Sequence, residues 1–154
     1  MERNHEFYMK RALAEAAKAA ALDEVPVGAV IVKDGRIIAR NHNRRETTGD
    51  PTSHAEINAL RKACRKLGSW RIPGCSVYVT IEPCSMCAGA LLWARVDTIV
   101  YGASDNKGGA LGSSYNLFDQ KNLNHHPGTV GGILKEDCQA IISAYFKKKR
   151  NENN

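Results

Sequence analysis

The chain has 154 residues, 43% hydrophobic and 25% charged, a balance that fits one globular domain (1–154) with a sizeable core and excludes a disordered polyelectrolyte. Its longest mid-chain run without charged or strongly polar side chains, Cys87 to Ala94, is eight residues, against the roughly 18 that a membrane-spanning helix needs. The net charge is +6, and Lys147, Lys148, Lys149 and Arg150 against Glu152 supply +3 of it, a basic C-terminal tail (about 147–154) that is either solvated or set against phosphates.

From Glu6 to Leu22 the chain is rich in Ala, Lys, Glu and Leu, with apolar residues at Phe7, Met9, Leu13, Ala17 and Ala20, which predicts an amphipathic first helix stopped by Pro26. Gly28 to Val32 and Ile37 to Ala39 flank Lys33-Asp34-Gly35, and Asp-Gly between two β-branched runs predicts a hairpin, because glycine tolerates the positive φ of a tight turn. Arg40 to Pro51 reads as a polar loop. A second helix is expected to open near Thr52-Ser53 and end at Leu67, before Gly68. Cys75 to Ile81 is a strand by its β-branched and aromatic content, and a third helix runs from Pro83 through Ala94. Thr98 to Tyr101 is a strand reached through that helical crossover, hence parallel to its predecessor. Gly102 to Gly112 is glycine-rich and irregular, and Leu134 to Phe146 is a last helix. This order predicts a three-layer α/β/α sandwich on a mixed sheet.

The charge-alternating N-terminus is followed by no apolar signal core, so a cytoplasmic setting is expected, where thiols stay reduced. Five cysteines then point to metal binding or burial rather than disulfides. Cys84 and Cys87 stand three apart at a helix start, nearly one turn, so their sulfurs can share one ion. A helix N-terminus favours the thiolate form. His54, at the start of the preceding helix, supplies a third donor, and two thiolates with an imidazole suit zinc. Cys64, Cys75 and Cys138 have no partner at metal-ligand spacing and read as packing residues. With three protein donors, the fourth position of a tetrahedral zinc stays open for water, as in a catalytic site. Glu56 is the candidate proton carrier; its other reading is a first-turn acid that complements the helix dipole. A redox pair is the other reading of an isolated Cys-x-x-Cys.

His54-Ala55-Glu56 followed by Pro83-Cys84-Ser85-Met86-Cys87 resembles the signature of the zinc-dependent nucleobase deaminases. The resemblance covers nearly the whole chain and is closest to the bacterial tRNA-specific adenosine deaminases. It is carried further by Glu24 to Val30, Asn41 to Arg44, Asp50 to Ile57, Glu82 to Ala90 and Tyr101 to Ser113. It implies a cytidine deaminase-like fold with five strands, one zinc per subunit, and hydrolytic deamination of adenosine to inosine at the wobble position of a tRNA anticodon, in an arginine tRNA. Glu56 would protonate the base and later the departing ammonia, and backbone amides near Ala55 and Cys84 would steady developing charge. Asn43 would lie beside the base, Asp105 against the neighbouring nucleotides, and Phe146 with the basic residues after it against the anticodon loop. The resemblance also implies a homodimer, for which the apolar helix Ala88 to Ala94, with Leu91, Leu92 and Trp93, is a candidate interface; its other reading is a buried core helix. Asn124-His125-His126-Pro127-Gly128 departs from the family's Asn-His-Arg, removing one expected RNA contact and shortening the strand that follows. The competing functions are a guanine, cytosine or nucleoside deaminase of the same fold and a catalytically silent zinc module that only binds RNA.

Overall fold

The computed structural model describes residues 3–153. Helix α1 (His5–Ala21) is capped by the Asn4 side chain, which accepts from the Phe7 amide at 2.9 Å. Strands β1 (Gly28–Lys33) and β2 (Arg36–His42) form the hairpin. Asp34 and Gly35 both adopt positive φ, 52° and 74°, the backbone that an Asp-Gly hairpin turn requires. The expected loop after the hairpin is more ordered than its polarity suggests. β2 extends through Arg40 to His42, and a short helix α2 (Arg45–Thr48) follows.

Helix α3 (Ala55–Leu67) ends at Gly68 in the left-handed conformation, as glycine there predicts. After β3 (Cys75–Ile81) come α4 (Ser85–Trp93) and β4 (Thr98–Ala103). A 3-10 turn (Leu117–Asp119), the edge strand β5 (Gly128–Val130) and α5 (Lys135–Glu152) complete the chain. β5 has three residues and begins at Gly128, directly after Pro127, and the His125 ring donates to the Val96 carbonyl at 2.7 Å. The basic segment after Phe146 is not a separate tail. α5 continues to Glu152 because Lys and Arg are good helix formers and Glu152 meets Lys148 and Lys149 at 3.9 and 3.6 Å.

The five strands lie in the order β2-β1-β3-β4-β5, with β1 antiparallel to β2 and β3, and β3-β4-β5 parallel. The three-layer arrangement follows from strand alternation. Ala29, Ile31, Val77, Val79 and Ile99 pack with Ala55, Ala59, Ala88 and Leu91 of α3 and α4. Val30, Val32, Tyr78 and Val100 pack with Met9, Ala12 and Cys138 of α1 and α5. β1 is apolar along its length because both of its faces are covered. Glycine brings the helices close. A Cβ on Gly28 would strike the backbone of Ala12 and Ala16, and one on Gly102 would strike Cys138. Cys138 and Cys75 are buried as expected of packing residues. None of the described helices is long and apolar enough to cross a membrane.

The register collects the chemistry at one edge of the sheet. Gly28 pairs with His42, Ala29 with Val79, and Ile81 with Ala103. The start of β1, the end of β2 and the carboxyl ends of β3 and β4 therefore open side by side, where α3 and α4 begin. This is where parallel α/β sheets place their ligand crevices.

Candidate active site

His54 and Cys84 occupy equivalent positions, each the N-cap of its helix with extended backbone (φ −73°, ψ 157° and φ −75°, ψ 175°). Both helices thus start one residue or more after the predicted points, which places the ligands at the caps. The cap geometry resolves an apparent conflict in His-x-Glu spacing. Two residues apart on a regular helix would diverge, whereas an extended His54 and a helical Glu56 both face the cleft. Asn58 fixes the approach to the cap, its amide donating to the His42 and Ser53 carbonyls at 3.0 and 3.2 Å while its oxygen accepts from the Ser53 hydroxyl at 3.1 Å.

The His54 Nδ1 atom lies 3.7 Å from Cys84 Sγ and 3.5 Å from Cys87 Sγ, and the three donor atoms are all within 4.8 Å of one another. Bond lengths of about 2.3 Å to sulfur and about 2.0–2.1 Å to nitrogen at tetrahedral angles put nitrogen and sulfur about 3.6 Å apart. The donor set and its spacing therefore fit one zinc-sized ion. The Cys84 thiol is drawn down to about 3, first because the Cys87 thiol donates to it and then through His54. Cys87, which gives that bond and is more buried, is pushed up. Bonding to Cys84 raises His54, and burial raises Glu56, which is 3% exposed.

A cavity of about 160 Å³ opens beside this cluster, lined by Asn43, His54, Ala55, Glu56, Cys84 and Asp105 together with Val27, Arg45 and Glu82. It is smaller than the ~300 Å³ at which drug-sized pockets begin, the scale of a base rather than a whole nucleotide. Asn43 is buried, donating to the Val25 carbonyl at 3.1 Å and accepting from the Arg45 amide at 3.3 Å. Asp105 Oδ1 accepts from the Lys107 and Gly108 amides at 3.0 and 3.2 Å.

A family profile, MafB19-like deaminase, matches residues 3–150. The tRNA-specific adenosine deaminase of Bacillus subtilis is 48% identical over 96% of this chain and 91% of its own length, and that of Agrobacterium fabrum 46% identical over 97% of each. The chain belongs to this deaminase family. A solved structure from a study of A-to-I editing by tRNA deaminases at the wobble position superposes with a TM-score of 0.83 at 45% identity, covering 88% of this chain and 98% of that one. A guanine deaminase of Bacillus subtilis gives a TM-score of 0.63 at 46% identity over 66% of each chain.

Seven of the eight residues singled out in the sequence converge in this deaminase: six line the cavity, and Cys87 lies beneath it. Phe146 does not. It lies on α5, 43% exposed, in a second groove with Lys107, Gln139, Lys149 and Arg150. Leu91 and Leu92 belong to the chain's own core, and Trp93 alone of that segment faces outward, 58% exposed. Two functional residues had escaped notice. Glu24, fully buried, accepts from the Glu46 and Thr47 amides at 2.9 and 2.6 Å and so caps α2, which Arg44 cannot do with its own side chain. Glu82, 2% exposed, accepts from the backbone of the 104–113 loop. Both open segments that carry the family resemblance, but nothing in the sequence assigned either a role of its own.

Proposed function

We propose that this deaminase hydrolyses the wobble adenosine of a tRNA anticodon, in an arginine tRNA, to inosine and ammonia, with one zinc held by His54, Cys84 and Cys87. The observation that carries the reading is the buried Glu56 carboxyl beside the His-Cys-Cys cluster on the wall of a base-sized cavity. Zinc, when bound, supplies the Lewis acidity that makes water nucleophilic at neutral pH. Glu56 takes a proton from the water that attacks C6 and delivers it to N1 of the adenine; it then takes the remaining proton of the new C6 hydroxyl and passes it to the exocyclic nitrogen, so that the C6–N bond breaks, ammonia leaves and the C6 carbonyl of inosine forms. The Glu56 carboxyl is buried on the cavity wall beside the cluster, in position to take a proton from water and return it to the base.

Asn43 has spent one N–H on Val25 and one lone pair on Arg45. One N–H and one lone pair remain for the purine edge, enough to orient it. Asp105 uses Oδ1 on its own loop, and Oδ2 contacts the nucleotides around the target. The small cavity takes one splayed base, the usual mode of single-stranded RNA recognition, while Phe146 stacks outside it and the cations of α5 meet phosphate. A second copy of the chain covers the α4 stripe Met86, Gly89, Ala90 and Trp93, where nothing lies within 4 Å of a Cβ built on Gly89. A tRNA substrate places the protein in the cytoplasm.

The test is incubation of the zinc-loaded protein with an anticodon stem-loop and, separately, with guanine, cytosine and free nucleosides. Sequencing should read A-to-G at the first anticodon position. Ammonia from guanine with intact RNA would replace this reading by the small-molecule one. Glu56→Ala should keep zinc and RNA binding while turnover falls by at least about 10²-fold; undiminished turnover would remove Glu56 from its role.

A further inference from the structure

The 104–113 segment has no helix or strand to hold it, yet it carries Asp105 into the cavity wall. One carboxylate organises it. Glu82 Oε1 accepts from the Asp105 amide at 3.2 Å and from the Ser113 hydroxyl; Oε2 accepts from the Leu111 and Ser113 amides at 2.9 and 3.1 Å. Both ends of the loop thus converge on a side chain that is 2% exposed. The closeness demands glycine. A Cβ on Gly109 would lie 2.5 Å from the Glu82 carboxyl carbon and 2.6 Å from Oε2. The Ala110 amide adds a bond to the Pro83 carbonyl at 2.9 Å, so the loop is sewn to the Glu82-Pro83-Cys84 turn that also presents a metal donor.

We propose that Glu82 is a positioning residue that holds the 104–113 loop as a preformed wall of the cavity and thereby sets affinity for the nucleoside rather than the rate of its chemistry. This rests on the cavity being the nucleoside site. A buried carboxylate is the one side chain that can accept all four bonds, since both of its oxygens are acceptors and neither donates. Replacing one oxygen by an amide nitrogen sets N–H against N–H and frees the loop to open locally. The ordering of the loop would then be charged to substrate binding, which raises KM and leaves the bound complex, once formed, with its chemistry intact.

The experiment uses the zinc-loaded protein and an anticodon stem-loop. Glu82→Gln should raise KM by on the order of tenfold or more, the worth of a lost charge-assisted hydrogen bond, with kcat within about threefold of wild type and zinc content unchanged. Ser113→Ala, which removes one donor from an exposed residue and keeps the carboxylate, should raise KM by a smaller factor. Combined with Glu82→Gln it should add nothing, because both act through one set of bonds. An unchanged KM in Ser113→Ala, a fall in kcat at constant KM, loss of zinc, or additive effects in the double variant would each overturn the proposal, and Ser113→Ala decides the matter if Glu82→Gln fails to fold. A wild-type protein inactive on the stem-loop would refute the nucleoside reading instead. Trypsin cleavage after Lys107, exposed in the loop, then reads the positioning role directly: faster cleavage in the variants upholds it, and equal rates overturn it.

Discussion

Glu24→Gln tests how firmly one wall of the site is held. The two Glu24 oxygens accept separately from the Glu46 and Thr47 amides, at 2.9 and 2.6 Å, from a side chain with no exposure. Glutamine keeps one acceptor and turns an N–H toward the other amide, so one charge-assisted bond is lost and a donor is left unpaired. The expected loss is about 3 kcal/mol, or a Tm lower by about 6–12 °C for a chain of this size. The pH dependence follows from the same bonds. Burial alone would raise this carboxyl, but Thr47, Glu46 and nearby Arg45 bring it net below its ordinary 4.5. A folded-state pKa below the unfolded one contributes stability that is complete above the ordinary value and lost as pH falls through the folded one. Denaturant unfolding of both proteins at pH 7 should therefore show the full gap, and at pH 3 a smaller one. A difference below about 0.5 kcal/mol at pH 7, or one that is equally large at pH 3, would refute the capping role.

His54→Ala or Cys84→Ala should reduce zinc from one equivalent to traces by atomic emission, and wild-type protein should gain about 4 kcal/mol of stability at a thousandfold excess of zinc over its Kd; a full equivalent in either variant would break the ligand assignment. Neutralising Lys147, Lys148 and Arg150 to Gln, with Lys149 left on Asp23 at 2.6 Å, should flatten the salt dependence of RNA binding by a slope of up to about 2, and an unchanged slope would return these residues to a solvated helix end. Trp93→Glu should convert the chain to a monomer in sedimentation, and a dimer that survives the charge would place the interface elsewhere.

The deaminase site was legible where the signal was local. Asp34-Gly35 set the hairpin, Gly68 ended α3, and His54, Cys84 and Cys87 marked a cluster that could hold a metal, with Glu56 beside it, because turn chemistry and ligand spacing reside in neighbouring residues. Other features needed partners from elsewhere in the chain. The apolar α4 segment reads equally as an interface or a core helix until burial of Leu91 and Leu92 puts those two in the core, and Phe146 shares its groove on α5 with Lys149 and Arg150.

The class of fold followed from the order of elements read in the sequence, and ligand spacing together with the family resemblance marked the candidate site residues. Only the tertiary structure decided that Glu24 caps α2, whose Arg45 lines the cavity, and that Glu82 holds the 104–113 loop. Apart from the Ser113 hydroxyl, their partners are main-chain N–H groups, which every residue but proline possesses, so residue type in α2 and the glycine-rich loop says little about where those carboxylates would be needed.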